Sequence, residues 1–148
     1  MSTFEFKQVL HTETWPLRAA VLWPEKSAGP SCELPSDTAE GTLHFGAFRG
    51  ADLVSIASFS RQSHTALPDQ ICYRLRAMAT SEAHRQSGAG RMVIDGAMRT
   101  LGGMEVEGVW ADARHVALGF YARLGWDVVG PTYEVPLRGP HRLVWRRI

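Results

Sequence analysis

Arg85-Gln86-Ser87-Gly88-Ala89-Gly90-Arg91 is the stretch whose reading decides the fold. Before it, Tyr73 to Thr80 alternates with the period of a β-strand. Tyr73, Leu75, Ala77 and Ala79 share one face, and Arg74, Arg76, Met78 and Thr80 the other. After it, roughly Ala89 to Leu101 reads as a helix, with Val93, Ala97 and Leu101 on one face and Ile94 and Met98 beside them. A strand, a glycine turn and a helix start make an anion cradle. The first N–H groups of a helix have no partner inside it, and the helix dipole adds about half a positive charge there. Glycines let the main chain approach a ligand without a Cβ in the way. Phosphate is the usual guest of such a place. A plain strand-to-helix connection carries the same glycines, so the flanking segments have to decide.

Three phosphate-binding patterns compete for this run. The P-loop requires G-x-x-x-x-G-K-[ST], and the chain contains no Gly-Lys pair. The dinucleotide pattern G-x-G-x-x-G/A meets Val93 where its third small residue belongs. Asp112, about 20 residues on, could serve as its acidic partner and keeps that reading open. The third pattern, R/Q-x-x-G-x-G/A, is met at every fixed position by Arg85-x-x-Gly88-x-Gly90.

Composition bounds the rest. A chain of 148 residues is long enough for one domain with a real core. It is 45% hydrophobic and 21% charged, as soluble globular proteins are. A net charge of +1 gives no reason to expect nucleic acid or an anionic membrane as partner. Cys32 and Cys72 lie forty positions apart with no C-x-x-C, which favours a reduced, intracellular setting over a disulfide framework. Met1-Ser2-Thr3-Phe4-Glu5 shows no signal pattern. No apolar run approaches the ~18 residues of a membrane span, so a soluble, cytoplasmic protein is expected. The histidines at 11, 44, 64, 84, 115 and 141 lack metal-ligand spacing, and no metal is expected.

Taken in order, Phe4 to Val9 reads as a strand. Thr12 or Thr14 can cap a helix that holds Pro16 in its first turn and ends at Pro24. Glu25 to Gly41 is a long aperiodic loop, either a flap over a site or a plain surface excursion. Thr42 to Phe48 and Leu53 to Phe59 form a hairpin around Arg49-Gly50-Ala51-Asp52, and Ser60 to Asp69 is a polar connection. Gly102-Gly103 stops the long helix, and Glu105 to Ala111 is a strand. Asp112 can cap a helix with Val116, Ala117, Phe120, Tyr121 and Leu124 on one side, closed by Gly125. Trp126 to Val129 is a strand, Pro131 to Pro140 a turn-rich stretch, and Arg142 to Arg147 a last strand. The order β-α-β-β-β-α-β-α-β-β predicts one α/β (α+β) domain over residues 1–148, a mixed central sheet flanked by helices.

R/Q-x-x-G-x-G/A is the pyrophosphate loop of the GNAT (GCN5-related) N-acetyltransferases, which this chain resembles from about residue 12 to its end. The element order is similar to the GNAT fold. Leu75 to Thr80 looks like the family's fourth strand, and Phe120-Tyr121-Ala122-Arg123-Leu124-Gly125-Trp126 resembles its late F-Y-x-x-x-G-F signature. Arg18 to Pro24 and His44-Phe45-Gly46-Ala47 resemble an uncharacterised bacterial branch. Tyr133-Glu134 followed by Gly139-Pro140-His141 is similar to the ElaA-like branch.

The resemblance implies acetyl-CoA as co-substrate, its pyrophosphate on Arg85, Gln86, Ser87, Gly88, Ala89, Gly90 and Arg91. The pantetheine arm would pair with the main chain along Met78, Ala79 and Thr80, and the Met78 N–H would hold the thioester oxygen. Tyr121 matches the tyrosine that protonates the departing thiolate, though from the residues alone it is equally a core aromatic. Arg114 stands seven residues before Tyr121, where many relatives carry a cofactor-fixing Asn. Glu134 and His141 would lie at the acceptor end as candidate bases, and Arg76, if its strand face looks into the acceptor groove, would meet a substrate carboxylate or phosphate. From the residues alone, Arg74 and Arg76 fit ion pairs with acidic neighbours on an adjacent strand, and His141 fits a surface turn. No Cys or Ser sits in a nucleophile motif, so transfer would go directly to a primary amine of a small-molecule or peptide acceptor. Two other readings stand beside this one: a non-catalytic CoA-binding or sensing module, and a small nucleotide-binding domain. The family is often dimeric, which makes a homodimer a candidate state.

Overall fold

The elements follow the expected order in a computed structural model that describes residues 3–67 and 71–148. They are β1 (Glu5–Gln8), α1 (Trp15–Leu17), β2 (Leu43–Arg49), β3 (Asp52–Arg61), β4 (Cys72–Thr80), α2 (Ala89–Gly102), β5 (Gly108–Arg114), α3 (Leu118–Arg123), β6 (Asp127–Val135) and β7 (Gly139–Arg147). The strands hydrogen-bond in the order β1-β2-β3-β4-β5-β7-β6, a mixed seven-stranded sheet. Met1, Ser2 and Asp69 lie outside the described residues, so the end of the Ser60–Asp69 connection does too. The described residues gather into two compact units, 1–60 with 76–100, and 61–75 with 101–148. β4 starts in the second and ends in the first.

In the first unit β1, β2 and β3 form an antiparallel meander, with Gly50 (φ +62°) and Ala51 turning β2 into β3 as expected. Leu17, Ile56 and Ala79 make a core cluster, backed by Val21, Leu22 and Leu53. α2 buries Ala89, Val93, Ile94 and Ala97 on the face read from its period. Gly96 sits inside this helix although glycine costs about 1 kcal/mol there. The Phe6 ring explains it, since a Cβ at Gly96 would come within 2.4 Å of that ring.

Neither Thr12 nor Thr14 caps the first helix. The chain enters it through a 3₁₀ turn over His11–Thr14, and the Thr14 hydroxyl donates back to the His11 carbonyl at 2.5 Å. Pro16 does occupy the first turn, and a π-helical turn over Arg18–Leu22 continues the element. Glu25 to Gly41 is not aperiodic either. It contains single 3₁₀ turns at Pro30–Cys32 and Pro35–Thr38, and Cys32 and Asp37 are buried.

In the second unit Cys72–Arg74 of β4 pairs in parallel with Gly108–Trp110 of β5. β7 runs antiparallel to both β5 and β6. Cys72, Trp110 and Leu143 form its core, with Leu67, Val129 and Trp145 packed on them. Three expectations are corrected here. The strand after α2 begins at Gly108 rather than Glu105, because Glu105 takes φ +62° in the turn that closes the helix. Asp112 is a mid-strand residue of β5 and caps nothing; a 3₁₀ turn at His115–Ala117 leads into α3, and Val116 is 89% exposed rather than on the core side. β6 continues through Pro131 to Val135, because a register shift between Val129 and Tyr133 accommodates the proline where no ladder N–H is needed. Gly125 (φ +84°) closes α3 as expected.

Candidate active site

The glycine loop leaves β4 at Thr80, where Ser81 N–H donates to the Val54 carbonyl at 2.8 Å. A short turn over Glu82–His84 follows, held by Ser81 Oγ and His84 Nδ1 at 2.7 Å and by the Ser87 hydroxyl donating to the His84 carbonyl. Gln86 takes φ +59° and Gly88 φ +91°, both left-handed. A Cβ at Gly88 would meet open space, so the backbone conformation and not crowding demands glycine there. α2 starts at the next residue, and its first turn contains no acidic side chain. Arg85, Gln86, Ser87, Gly88 and Arg91 are exposed, whereas Ala89 and Gly90 are buried against the core. Arg91 reaches Asp95 at 3.5 Å, a solvent-facing i,i+4 pair of small energetic weight. The loop therefore offers orphan N–H groups and a helix N-terminus, flanked in sequence by the exposed Arg85 and Arg91, which suits a diphosphate.

Met78, Ala79 and Thr80 are the last residues of β4, just beyond Ala77. Ala77 takes φ +54°, which no residue-level pattern announced. Ser55 Oγ donates to the Ala79 carbonyl at 3.3 Å and lies 2.8 Å from Thr80 Oγ1, so β3 anchors the end of β4. Arg76 is half-buried in the same strand.

Tyr121 is 5% exposed and packs edge-on against Phe120 (5.3 Å) and Trp126 (5.1 Å). Burial pushes its phenol well above the ordinary value, which keeps it protonated at neutral pH. The F-Y-x-x-x-G-W run thus places a neutral phenol among aromatic rings in the second unit.

The other residues expected to serve the acceptor separate. Glu134 is exposed on β6. His141 is not a surface-turn histidine: it is 6% exposed on β7, opposite Tyr133, with Nδ1 2.9 Å from the Gly139 carbonyl. Arg74 does form the cross-strand ion pair, its Nη2 donating to Asp112 Oδ2 at 2.7 Å. The Tyr133 hydroxyl donates to Asp112 Oδ1. Burial, followed by that bond and the Asp112 charge, raises the Tyr133 phenol above its usual range. The structure therefore gathers Arg74, Asp112, Tyr133 and His141. By sequence Asp112 reads only as the acidic partner of a dinucleotide loop and as a helix cap, and Tyr133 has no role at a site, because the strand register that joins them depends on the shift in β6.

A second buried cluster lies in the first unit. Arg18, 0% exposed, donates from Nη1 and Nη2 to the two Asp37 oxygens at 2.6 and 2.9 Å. It also reaches the Cys32 carbonyl and Ser58 Oγ, both at 2.9 Å. His44 bridges Ser58 Oγ (2.7 Å) and the Asp37 carbonyl (3.0 Å). Burial pushes the Asp37 carboxyl up, but hydrogen bonds from Arg18 and the Leu34 N–H together with the nearby positive charge outweigh it, and the net shift is downward. Burial holds His44 below its ordinary value. His11, Glu33 and Asp37 each bring a ligand atom within 4.8 Å of the others. With Arg18 and Leu34 on the Asp37 carboxylate, that group is a poor cation cage.

Residues 7–126 match the sequence profile of the acetyltransferase (GNAT) family. The chain is 38% identical over 144 residues to the uncharacterized N-acetyltransferase YitI of Bacillus subtilis (strain 168), covering 97% of this chain and 96% of that protein. Among solved structures it is similar to Escherichia coli ElaA, with a TM-score of 0.74 at 20% identity over 97% of this chain and 99% of that one. It is also similar to an aminoglycoside 6'-N-acetyltransferase complexed with coenzyme A, with a TM-score of 0.75 at 12% identity over 97% and 96% of the two chains.

Proposed function

Since the chain belongs to the GNAT acetyltransferase family and is an acyltransferase, we propose that it uses acetyl-CoA to acetylate a primary amine of a small-molecule or peptide acceptor. The observation that carries this reading is the loop from Arg85 to Arg91, exposed, free of acidic residues and bent left-handed at Gln86 and Gly88. Its N–H groups and the Arg85 and Arg91 side chains take the pyrophosphate. Charge-assisted hydrogen bonds of this kind contribute about 1.5–3 kcal/mol each. The pantetheine arm pairs with main chain along Met78, Ala79 and Thr80, past the left-handed Ala77. The Met78 N–H steadies the thioester oxygen as charge develops on it.

The amine nitrogen attacks the thioester carbon directly, the C–S bond breaks, and Tyr121 gives its proton to the thiolate. A phenol kept neutral by burial is in the form that step requires. Arg76 and Glu134 contact the acceptor further out. Among the described residues no helix is long and apolar enough to cross a membrane, and Cys32 and Cys72 are free and buried. A cytoplasmic location suits two unpaired thiols.

Calorimetry with acetyl-CoA, NAD and ATP tests the cofactor, with acetyl-CoA alone expected to bind. A thiol-release assay over a panel of primary amines then tests turnover. CoA release that depends on an amine and falls about 100-fold in Tyr121→Phe supports the enzyme. Binding without release in any amine would instead mark a CoA-sensing module.

A further inference from the structure

Arg74, Asp112, Tyr133 and His141 come from four strands, and the registers put them on one face. Arg74 pairs with Trp110, and Asp112 lies two residues further along β5. Asp112 is opposite Leu143 on β7, His141 lies two residues from Leu143, and His141 is opposite Tyr133 on β6. The same face carries the apolar cluster of Cys72, Trp110, Leu143 and Val129.

The Tyr133 hydroxyl hydrogen and the His141 ring hydrogen are already committed, while the buried Arg74 Nε–H has no partner. The Tyr133 hydroxyl hydrogen goes to Asp112, whose other oxygen is held by Arg74. A carbonyl can only accept, so the 2.9 Å contact with Gly139 puts the ring hydrogen of neutral His141 on Nδ1. Nε2 is left with its lone pair, and among the described residues it has no hydrogen-bond partner. The phenol oxygen of Tyr133 likewise keeps only acceptor capacity. The two rings lie 6.3 Å apart at 29°. Two groups that present lone pairs and no hydrogens complement a guest made of donors. An alkylammonium, with three N–H donors and no acceptor, is such a guest; a carboxylate or phosphate is not.

We propose that Tyr133 Oη and His141 Nε2 receive the acceptor's amino group and that His141 is the base that removes its proton. The proposal rests on the acetyltransferase reading and deepens it. The ammonium gives one proton to Nε2 and becomes a free amine. Its lone pair forms the N–C bond as the C–S bond breaks, and the thiolate takes the Tyr121 proton. The nitrogen's second proton restores Tyr121, and the imidazolium returns its proton to water. Ammonium and acetyl thioester thus become amide, thiol and one free proton. Arg114 stands directly opposite His141, Asp112 shares the face with both, Tyr133 lies across on β6, and His115 opens the turn packed against β7. The imidazolium therefore forms between one carboxylate and one guanidinium on β5.

Two measurements on the full chain decide the matter. Long-range ¹H–¹⁵N NMR of the histidine-labelled protein at pH 8 should show His141 protonated at Nδ1 and bare at Nε2. His141→Asn keeps an amide donor for the Gly139 carbonyl but has no base. It should lower kcat/KM for spermidine, lysine or an alanine-terminated peptide by about 100-fold and remove the acidic limb of the pH profile. Tyr133→Phe should raise the amine KM several-fold with a smaller effect on kcat. The opposite tautomer, or a His141→Asn enzyme with the wild-type rate and acidic limb, overturns the proposal. Acetyl-CoA calorimetry separates the two levels: a wild-type chain that ignores the cofactor defeats the acetyltransferase reading, whereas normal cofactor binding in His141→Asn with slowed transfer isolates the base.

Discussion

Two polar clusters in this chain are each built on an arginine–aspartate pair with a histidine nearby, and they differ in what they leave open. Around Arg18 and Asp37, both carboxylate oxygens, both terminal guanidinium nitrogens and both His44 ring nitrogens are used, and the group is sealed from solvent. Around Arg74 and Asp112, the pair is partly exposed, and the adjacent Tyr133 and His141 keep lone pairs in reserve. The first network leaves only the Arg18 Nε–H without a partner and holds its segment rigidly; a network with spare acceptors can bind. The first cluster ties the proline-rich segment at 25–41 to β2 and β3, where a loose flap had been one expectation. The second is where we propose that the acceptor's amino group is received.

The sharpest way to break this contrast is to remove one carboxylate from each cluster. Asp37→Ala leaves the Arg18 charge buried and unpaired, and urea unfolding should register a loss of about 3–5 kcal/mol. Acid should act on the same cluster. The folded-state pKa values of Asp37 and His44 are both depressed, so the unfolded chain takes up protons first and stability falls as pH falls. The His44 contribution is whole above its ordinary value of 6.5 and fades below it, with a slope of at most about 1.4 kcal/mol per pH unit. Asp37 adds its share only below 3.8. Thermal melts of wild type and His44→Gln between pH 8 and 5 should diverge accordingly, the variant being flatter.

Asp112→Asn should cost about 1 kcal/mol or less, because the amide keeps an acceptor for Arg74 and solvent still reaches side chains that are 20% and 29% exposed. Its effect should appear in the amine KM, since the Tyr133 hydroxyl loses its charged acceptor. Glu134→Ala is the smallest change, on an exposed position of β6, and should stay within about 0.5 kcal/mol in the same unfolding assay.

The glycine loop and the helices beside it in sequence were legible because their signals are local. Gly88 is dictated by its own φ, α2 by its apolar period and the close of α3 by Gly125, each readable within one turn of chain. The surroundings of Asp112 and β6 were not. Asp112 is a good helix cap by residue type, and it becomes a strand residue because Arg74 and Tyr133, 38 and 21 positions away, both bond to it. Pro131 reads as a strand breaker, yet β6 passes through it at a register shift.

Spacing and period alone established the order of strands and helices, the glycine loop between β4 and α2 and the position of the aromatic Tyr121 run, since these depend on backbone geometry over a few residues. Which polar side chains meet was settled only by tertiary structure. Pairs such as Arg18–Asp37 and Tyr133–Asp112 form across loops and strand registers, and the free energy that selects them comes from burial that no local window contains.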